Sequence, residues 1–244
     1  MKIFYYYHIS KTGGTSVLNF FNYIVENMAN CVLYDYNDWD KLGSEPKEID
    51  LDKVLALGDD KYDYIFIHHH HGYHGLAKYK DYLVKKKIEL SNSGHTMKIF
   101  TTIRDIVQFN NSRINYLINT DRWVGTVHDF LKNKIHFNIQ TKYLLNNWHG
   151  EWSYKNQEIT LQNIDELNEV IDLFLNISQL SKFLKAFSDY FNLNYDDYDT
   201  KSNNTTHHIS FVKHYAQLLR NNDLDCYLLE KYSNDNYETF FENI

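Results

Sequence analysis

Apolar and polar positions along this chain alternate between two periods. Residues 2–9 (KIFYYYHI) are a short, nearly continuous apolar and aromatic run that stops at a glycine pair, which predicts a buried strand. Across 15–28 the spacing becomes helical, with Val17, Leu18, Phe20, Phe21, Ile24, Val25 and Met28 forming one wide apolar face. Further strands are predicted over 31–36, 62–70, 97–104 and 172–177. Helices are predicted over 78–90, 107–119 and 181–191. The last of these puts Phe183, Leu184, Phe187 and Phe191 on one face, and Ser181 is expected to cap it. Residues 123–147 read as helical and turn-rich, and the tail from Phe211 as mainly helical. The acidic stretch 37–60 carries turn signals at Gly43, Pro46 and Gly58, and 150–160 reads as a loop.

Strands that alternate with helices imply an α/β fold, a central parallel sheet with helices on both faces. The 244 residues suit one such domain over 1–244, and 43% hydrophobic residues can fill its core. In sheets of this kind ligands bind beyond the carboxyl ends of the strands, so the segments following each strand are where chemistry is to be sought. A net charge of −7 excludes a general nucleic-acid binder, and any small anion must be held by a local site. Cys31 and Cys226 supply neither a disulfide framework nor metal spacing. No stretch approaches the roughly 18–20 apolar residues of a membrane span, and the expectation is a soluble, cytoplasmic protein.

The segment His8-Ile-Ser-Lys-Thr-Gly-Gly-Thr-Ser16 joins the first strand to the first helix. Gly13 and Gly14 let the backbone approach an anion, and the helix N-terminus offers free N–H groups and a favourable dipole. Lys11 adds a full charge, and Thr12, Thr15 and Ser16 add hydroxyls. Together they predict a cradle for a phosphate or phosphosulfate. The order is not that of a Walker A loop, because the lysine precedes the glycine pair. A second candidate lies after the fourth strand, in Thr101-Thr-Ile-Arg-Asp-Ile-Val-Gln-Phe-Asn-Asn-Ser112, where Arg104 ends the strand and Ser112 lies two turns into the helix. A guanidinium and a hydroxyl suit a terminal phosphate, although an Arg-Asp pair by itself is more often a structural ion pair.

The first string resembles the 5′-phosphosulfate loop of the carbohydrate sulfotransferases, in the branch of the heparan sulfate 2-O- and 6-O-sulfotransferases, with Ser10 in place of the usual proline. The second resembles that family's 3′-phosphate motif, with Ile106 in place of proline. Weaker similarities run through Phe137–Leu144, Phe174–Phe191, Ser202–Thr206 and the helix from Asp223. The resemblance implies a P-loop-type three-layer sandwich and a donor, 3′-phosphoadenosine-5′-phosphosulfate (PAPS), leaving as the 3′,5′-bisphosphate (PAP). It implies that Lys11, Thr12, Gly13, Gly14, Thr15 and Ser16 hold the phosphosulfate, and that Arg104 and Ser112 hold the 3′-phosphate. The acceptor implied is a hydroxyl of a carbohydrate or glycoconjugate.

Four histidines, His68 to His71, end the third predicted strand, with His74 close behind. Neighbours on a strand point to opposite faces, so His68 with His70, or His69 with His71, share a side. No acidic or cysteine ligand at suitable spacing accompanies them, and no metal is expected. Sulfuryl transfer needs a base for the acceptor's proton, and histidine is suited to it. By resemblance, with Tyr73 matched to the family's aromatic, His70 is the base and His68 a second active-site histidine; a slip of one residue would make it His69 or His71. His207 and His208, and the aromatics Tyr73, Trp123, Trp148 and Trp152, are further candidates for lining the site, with core or surface roles as the plainer reading. Two rivals stand: a P-loop nucleotide kinase, which the position of Lys11 argues against, and a nucleotide-binding protein without catalysis.

Overall fold

The computed structural model describes residues 1–37, 51–58, 61–70, 76–145, 159–198, 210–233 and 237–242. Five strands, β1 (Lys2–His8), β2 (Cys31–Asn37), β3 (Tyr64–His70), β4 (Thr96–Ile103) and β5 (Leu173–Asn176), form one parallel sheet in the order β2-β3-β1-β4-β5. The helices among the described residues are α1 (Gly14–Asn27), α2 (Leu51–Gly58), α3 (Lys80–Asn92), α4 (Ile106–Asn119), α5 (Val127–Lys132), α6 (Ile139–Leu145), α7 (Leu161–Glu166), α8 (Leu180–Tyr190), α9 (Tyr215–Asn221) and α10 (Asp223–Tyr232). This is the expected α/β sandwich, with helices on both faces of a parallel sheet.

A central parallel strand is covered on both sides and therefore reads as an unbroken apolar run. β1 meets that demand: Ile3 through Tyr7 are all buried, and the strand lies between β3 and β4. Its pleat sends Phe4 and Tyr6 to one face and Ile3, Tyr5 and Tyr7 to the other. The first face is an aromatic core shared with α1 and α8, in which Phe4 meets Phe187 edge-on at 4.7 Å and stacks on Phe66 at 5.5 Å. The second face is covered by α2, α3, α4, α6, α7 and α10. A smaller cluster around Ile114, Phe130, Phe211 and Leu218 ties α4 to α5 and α9.

Predicted strands and observed ones agree to within one or two residues. The differences have local causes. Ser181 does not cap α8: the helix begins one residue earlier, and Gln179 at the cap makes no side-chain bond. The chain enters that helix through a 3₁₀ turn, Ile177–Gln179, closed by Asn176, whose side chain accepts from the Ser178 amide at 3.0 Å. Helix α2 occupies part of the segment read as acidic and turn-rich, and Gly58 is its last residue; Leu51 and Val54 anchor it to the core. Helix α7, also unexpected, starts from a capping box between Thr160 and Asn163. Gly43, Pro46 and most of the 150–160 loop lie outside the described residues. Among those described, no helix is long and apolar enough to cross a membrane.

The α4–α5 cluster contains a buried cation on a neutral imidazole. The guanidinium of Arg113 donates to Nδ1 of His136 at 2.7 Å, and the His136 ring stacks on Phe130 at 4.0 Å. Arginine can only donate, so Nδ1 must keep its lone pair. Burial first, then Arg113, lowers the His136 pKa from 6.5 to about 3. Between those two values the unfolded chain binds a proton that the folded chain refuses, so stability falls as the pH drops from 6.5 toward 3. In denaturant titrations at a series of pH values, the stability gap between wild type and His136→Gln should shrink on acidification, by no more than about 1.4 kcal/mol per pH unit. A gap independent of pH would contradict this account.

Candidate functional site

The carboxyl ends of β3, β1 and β4 lie side by side, and the segments leaving them carry the predicted residues. The chain leaves β1 at His8 and turns within five residues into α1. Two left-handed residues make that turn, Lys11 at φ 68° and Gly13 at φ 92°. Glycine adopts this conformation freely, while for lysine it is strained by about 1–2 kcal/mol. A Cβ on Gly13 would also lie 2.8 Å from the Leu180 side chain, and one on Gly14 would lie 2.0 Å from Nε2 of His8. The glycine pair therefore serves close packing as well as chain reversal. No side chain caps α1, and the first-turn amides of Gly14 and Thr15 have no partner within the helix.

Thr12 departs from its expected part in the cradle. It is fully buried, its amide and hydroxyl both bond to the Ile9 carbonyl at 3.3 and 2.6 Å, and its oxygen accepts from Thr102 at 3.1 Å. Its hydroxyl thus closes the turn from inside. Thr15 is exposed, and Ser16 is half-buried beside the chain's reversal.

Lys11 and Arg104 come together. The Arg104 guanidinium donates to the Lys11 carbonyl at 3.2 Å. The Lys11 ammonium lies 4.4 Å from the centroid of the Tyr116 ring on α4. Burial, and then the neighbouring Arg104, lowers the pKa of Lys11; burial lowers that of Arg104. Neither forms an ion pair with a carboxylate among the described residues. The adjacent Asp105 is engaged in capping α4, accepting from the Val107 and Gln108 amides at 3.0 Å each. Ser112 is buried on α4 one turn before Tyr116, which puts it on the helix face turned toward Lys11.

Arg104 is held by its main chain. Gln140 accepts from the Arg104 amide at 2.7 Å and donates to its carbonyl at 2.8 Å. Gln140 is itself fixed because Asp225, fully buried on α10, accepts from the Gln140 and Thr141 amides at the start of α6, at 3.1 and 2.7 Å. Burial raises the Asp225 pKa. Gln140 and Asp225 fall in segments that the sequence reading noted only as weak similarities; the structure gives each a job.

The histidines divide as the pleat requires. His68 and His70 share the face of Phe4 and Tyr6, and His69 faces the opposite core, where its Nδ1 lies 2.7 Å from the Tyr5 hydroxyl. His69 therefore does not share a face with His68 and His70: its ring is enclosed on the far side of the sheet, among Tyr5, Tyr7 and Tyr36. His8, paired in register with His70, joins the first group, with ring centroids 4.1 Å from His70 and 5.2 Å from His68. Burial pushes the His8 pKa well below its ordinary value, and His70, His68 and Lys11 push it further, so one electrostatic neighbourhood holds all four. The sequence reading does not place His8 with these rings; the signal for it is its place two residues past Tyr6 on the same strand face. Trp123 packs against Phe130 and His136 rather than presenting a face for a sugar. His71, Tyr73, His74, Trp148, Trp152, Ser202–Thr206, His207 and His208 lie outside the described residues.

Two half-buried cations, an uncapped helix start and a bank of imidazoles lie together at the carboxyl edge of the sheet of this α/β protein. None of the protein-family models matches the chain, and no curated protein matches it either. A crystal structure of a sulfotransferase from Alicyclobacillus acidocaldarius is similar, with a TM-score of 0.45 and 10% identity over 92% of this chain and 94% of that one. At that score the likeness carries no argument, and the functional reading rests on the residues themselves.

The contact between His8 and Gly14 can be tested on its own. Gly14→Ala should destabilise the fold by roughly 1–3 kcal/mol through overpacking. His8→Ala in the same chain should recover part of that loss, so the two changes should be non-additive in denaturant titrations. Strict additivity would show that the rings and the loop do not press on each other.

Proposed function

We propose that this protein is a sulfotransferase that moves a sulfuryl group from PAPS to a hydroxyl of a carbohydrate or glycoconjugate. The observation that carries the reading is the meeting of Lys11 and Arg104 at the ends of β1 and β4, where neither forms an ion pair with a carboxylate among the described residues and the adjacent Asp105 is engaged in capping α4. Half-buried cations held this way favour an anionic ligand.

In this reading Lys11 and the backbone from Gly13 to Ser16 bind the 5′-phosphosulfate, and Arg104 with Ser112 binds the 3′-phosphate. Thr12 supports the loop from within. The acceptor oxygen attacks sulfur in line with the departing phosphate oxygen, and Lys11 stabilises the charge that develops there. A histidine of the pair His68 and His70 takes the hydroxyl proton. The work of the site is positioning and charge stabilisation, as in phosphoryl transfer. The sequence resemblance supplies the donor and the sugar-hydroxyl acceptor.

Calorimetric titration with PAP tests this, with adenosine monophosphate and magnesium-ATP as comparisons. PAP should bind, and removal of its 3′-phosphate should weaken binding. Lys11→Ala and Arg104→Ala should each weaken it by about 10- to 100-fold, the worth of a charge-assisted bond. A preference for magnesium-ATP, or no loss in either variant, would contradict the proposal and favour the kinase reading.

A further inference from the structure

Asp35, on the edge strand β2, plays no part in the sequence reading. Strand register sets it opposite His68. The two side chains meet, with Nδ1–H of His68 donating to Oδ1 of Asp35 at 2.7 Å. A carboxylate oxygen can only accept, so Nδ1 carries the hydrogen, and in the neutral ring Nε2 keeps the lone pair. The His68 side chain is 2% exposed and that of Asp35 36%. Nε2 of His68 is buried and has no hydrogen-bond partner among the described residues. It belongs to the face where the His68 ring lies 5.2 Å from His8 and 5.7 Å from Tyr6.

These facts point one way. An ion pair as open to water as Asp35 adds little to stability, yet it fixes the tautomer of a ring that is almost wholly enclosed. A buried acceptor with no donor calls for a reason. A hydroxyl group presented by a substrate is a donor of the right kind, and the cluster containing this ring also contains Lys11, through His8.

Resting on the sulfuryl-transfer reading above, we infer that Asp35 is a positioning residue and that the Asp35–His68 pair, rather than His70, supplies the general base. As the acceptor oxygen bonds to sulfur, the bond from sulfur to the 5′-phosphate oxygen breaks and its electron pair stays on the phosphate. The hydroxyl proton passes to Nε2 of His68. The imidazolium so formed is held by the Asp35 carboxylate, as a carboxylate holds the imidazolium of an acyl-transfer triad.

The experiment combines imidazole nitrogen NMR of His68 with PAP calorimetry and with PAPS cleavage measured as PAP released, water serving as the acceptor. Wild type should show the Nδ1–H tautomer. Asp35→Ala should shift His68 toward the Nε2–H form and slow PAP release by about tenfold or more while PAP affinity is unchanged, and Asp35→Glu should restore both. His68→Gln should slow release by about 100-fold, and His70→Gln by less. An unchanged tautomer and rate in Asp35→Ala, or a larger loss in His70→Gln than in His68→Gln, would overturn the inference and leave the donor reading standing. A wild-type protein that neither binds PAP nor cleaves PAPS would overturn the donor reading, and this inference with it.

Discussion

Lys11 and Arg104 repel each other, and burial makes both charges harder to keep, yet the fold holds them together. It does so through neutral partners. Arg104 donates to a carbonyl, that of Lys11, and its own amide and carbonyl are clasped by Gln140. Behind Gln140, the buried Asp225 takes two amides at the start of α6. The adjacent Asp105 is engaged in capping α4; it acts on Arg104 through space and forms no ion pair with either cation. With Asp225 set behind a helix turn, the backbone is fixed without a carboxylate pairing directly with either cation. Several distant features therefore answer to one constraint: the left-handed Lys11, the ring of Tyr116 beneath its ammonium, and the helix that carries Asp225.

The loop between β1 and α1 is pressed into shape from two sides. Leu180 and Ile177, at the entrance to α8, close over Gly13, and the His8 ring closes on Gly14. The apolar core of α1 and α8 and the polar row at the sheet's edge are thus one continuous packing problem. Along β1 the positions Phe4, Tyr6 and His8 form a single face, and along β3 so do Phe66, His68 and His70. Histidines take over where the aromatic core reaches the carboxyl edge. Read across the sheet, the row runs from Asp35 on β2, through His68 and His70 on β3 and His8 on β1, to Lys11 and Arg104 after β1 and β4. Each strand that reaches the middle of the edge contributes a group able to hold or move charge.

Much of this was legible in the amino-acid sequence. The five strands follow from short apolar runs. The tight turn from β1 into α1 follows from a glycine pair between a strand and a helix, and the shared face of His68 and His70 follows from the pleat. All of these depend on residues within a few positions of each other, where backbone geometry is the deciding force. The misses are of another kind. Thr12 has the chemistry of a ligand and is turned inward by the Ile9 carbonyl. Ser181 has the chemistry of a cap and lies two residues past the cap position, Gln179. Helix α2 is short and lies inside a segment whose other residues are acidic and turn-forming, and Leu51 and Val54 anchor it to the core.

The sequence by itself determined the class of fold, the place of the loop and the types of residue at the sheet's edge, because strand and helix periods and glycine freedom act locally. Tertiary structure alone decided which of those residues meet. Asp35 and His68 are 33 positions apart, His8 and His70 are joined by strand register, and Gln140 finds Arg104 across 36 positions. Such pairings are fixed by strand order and by the closing of helices over two cores, and no local pattern in the chain encodes them.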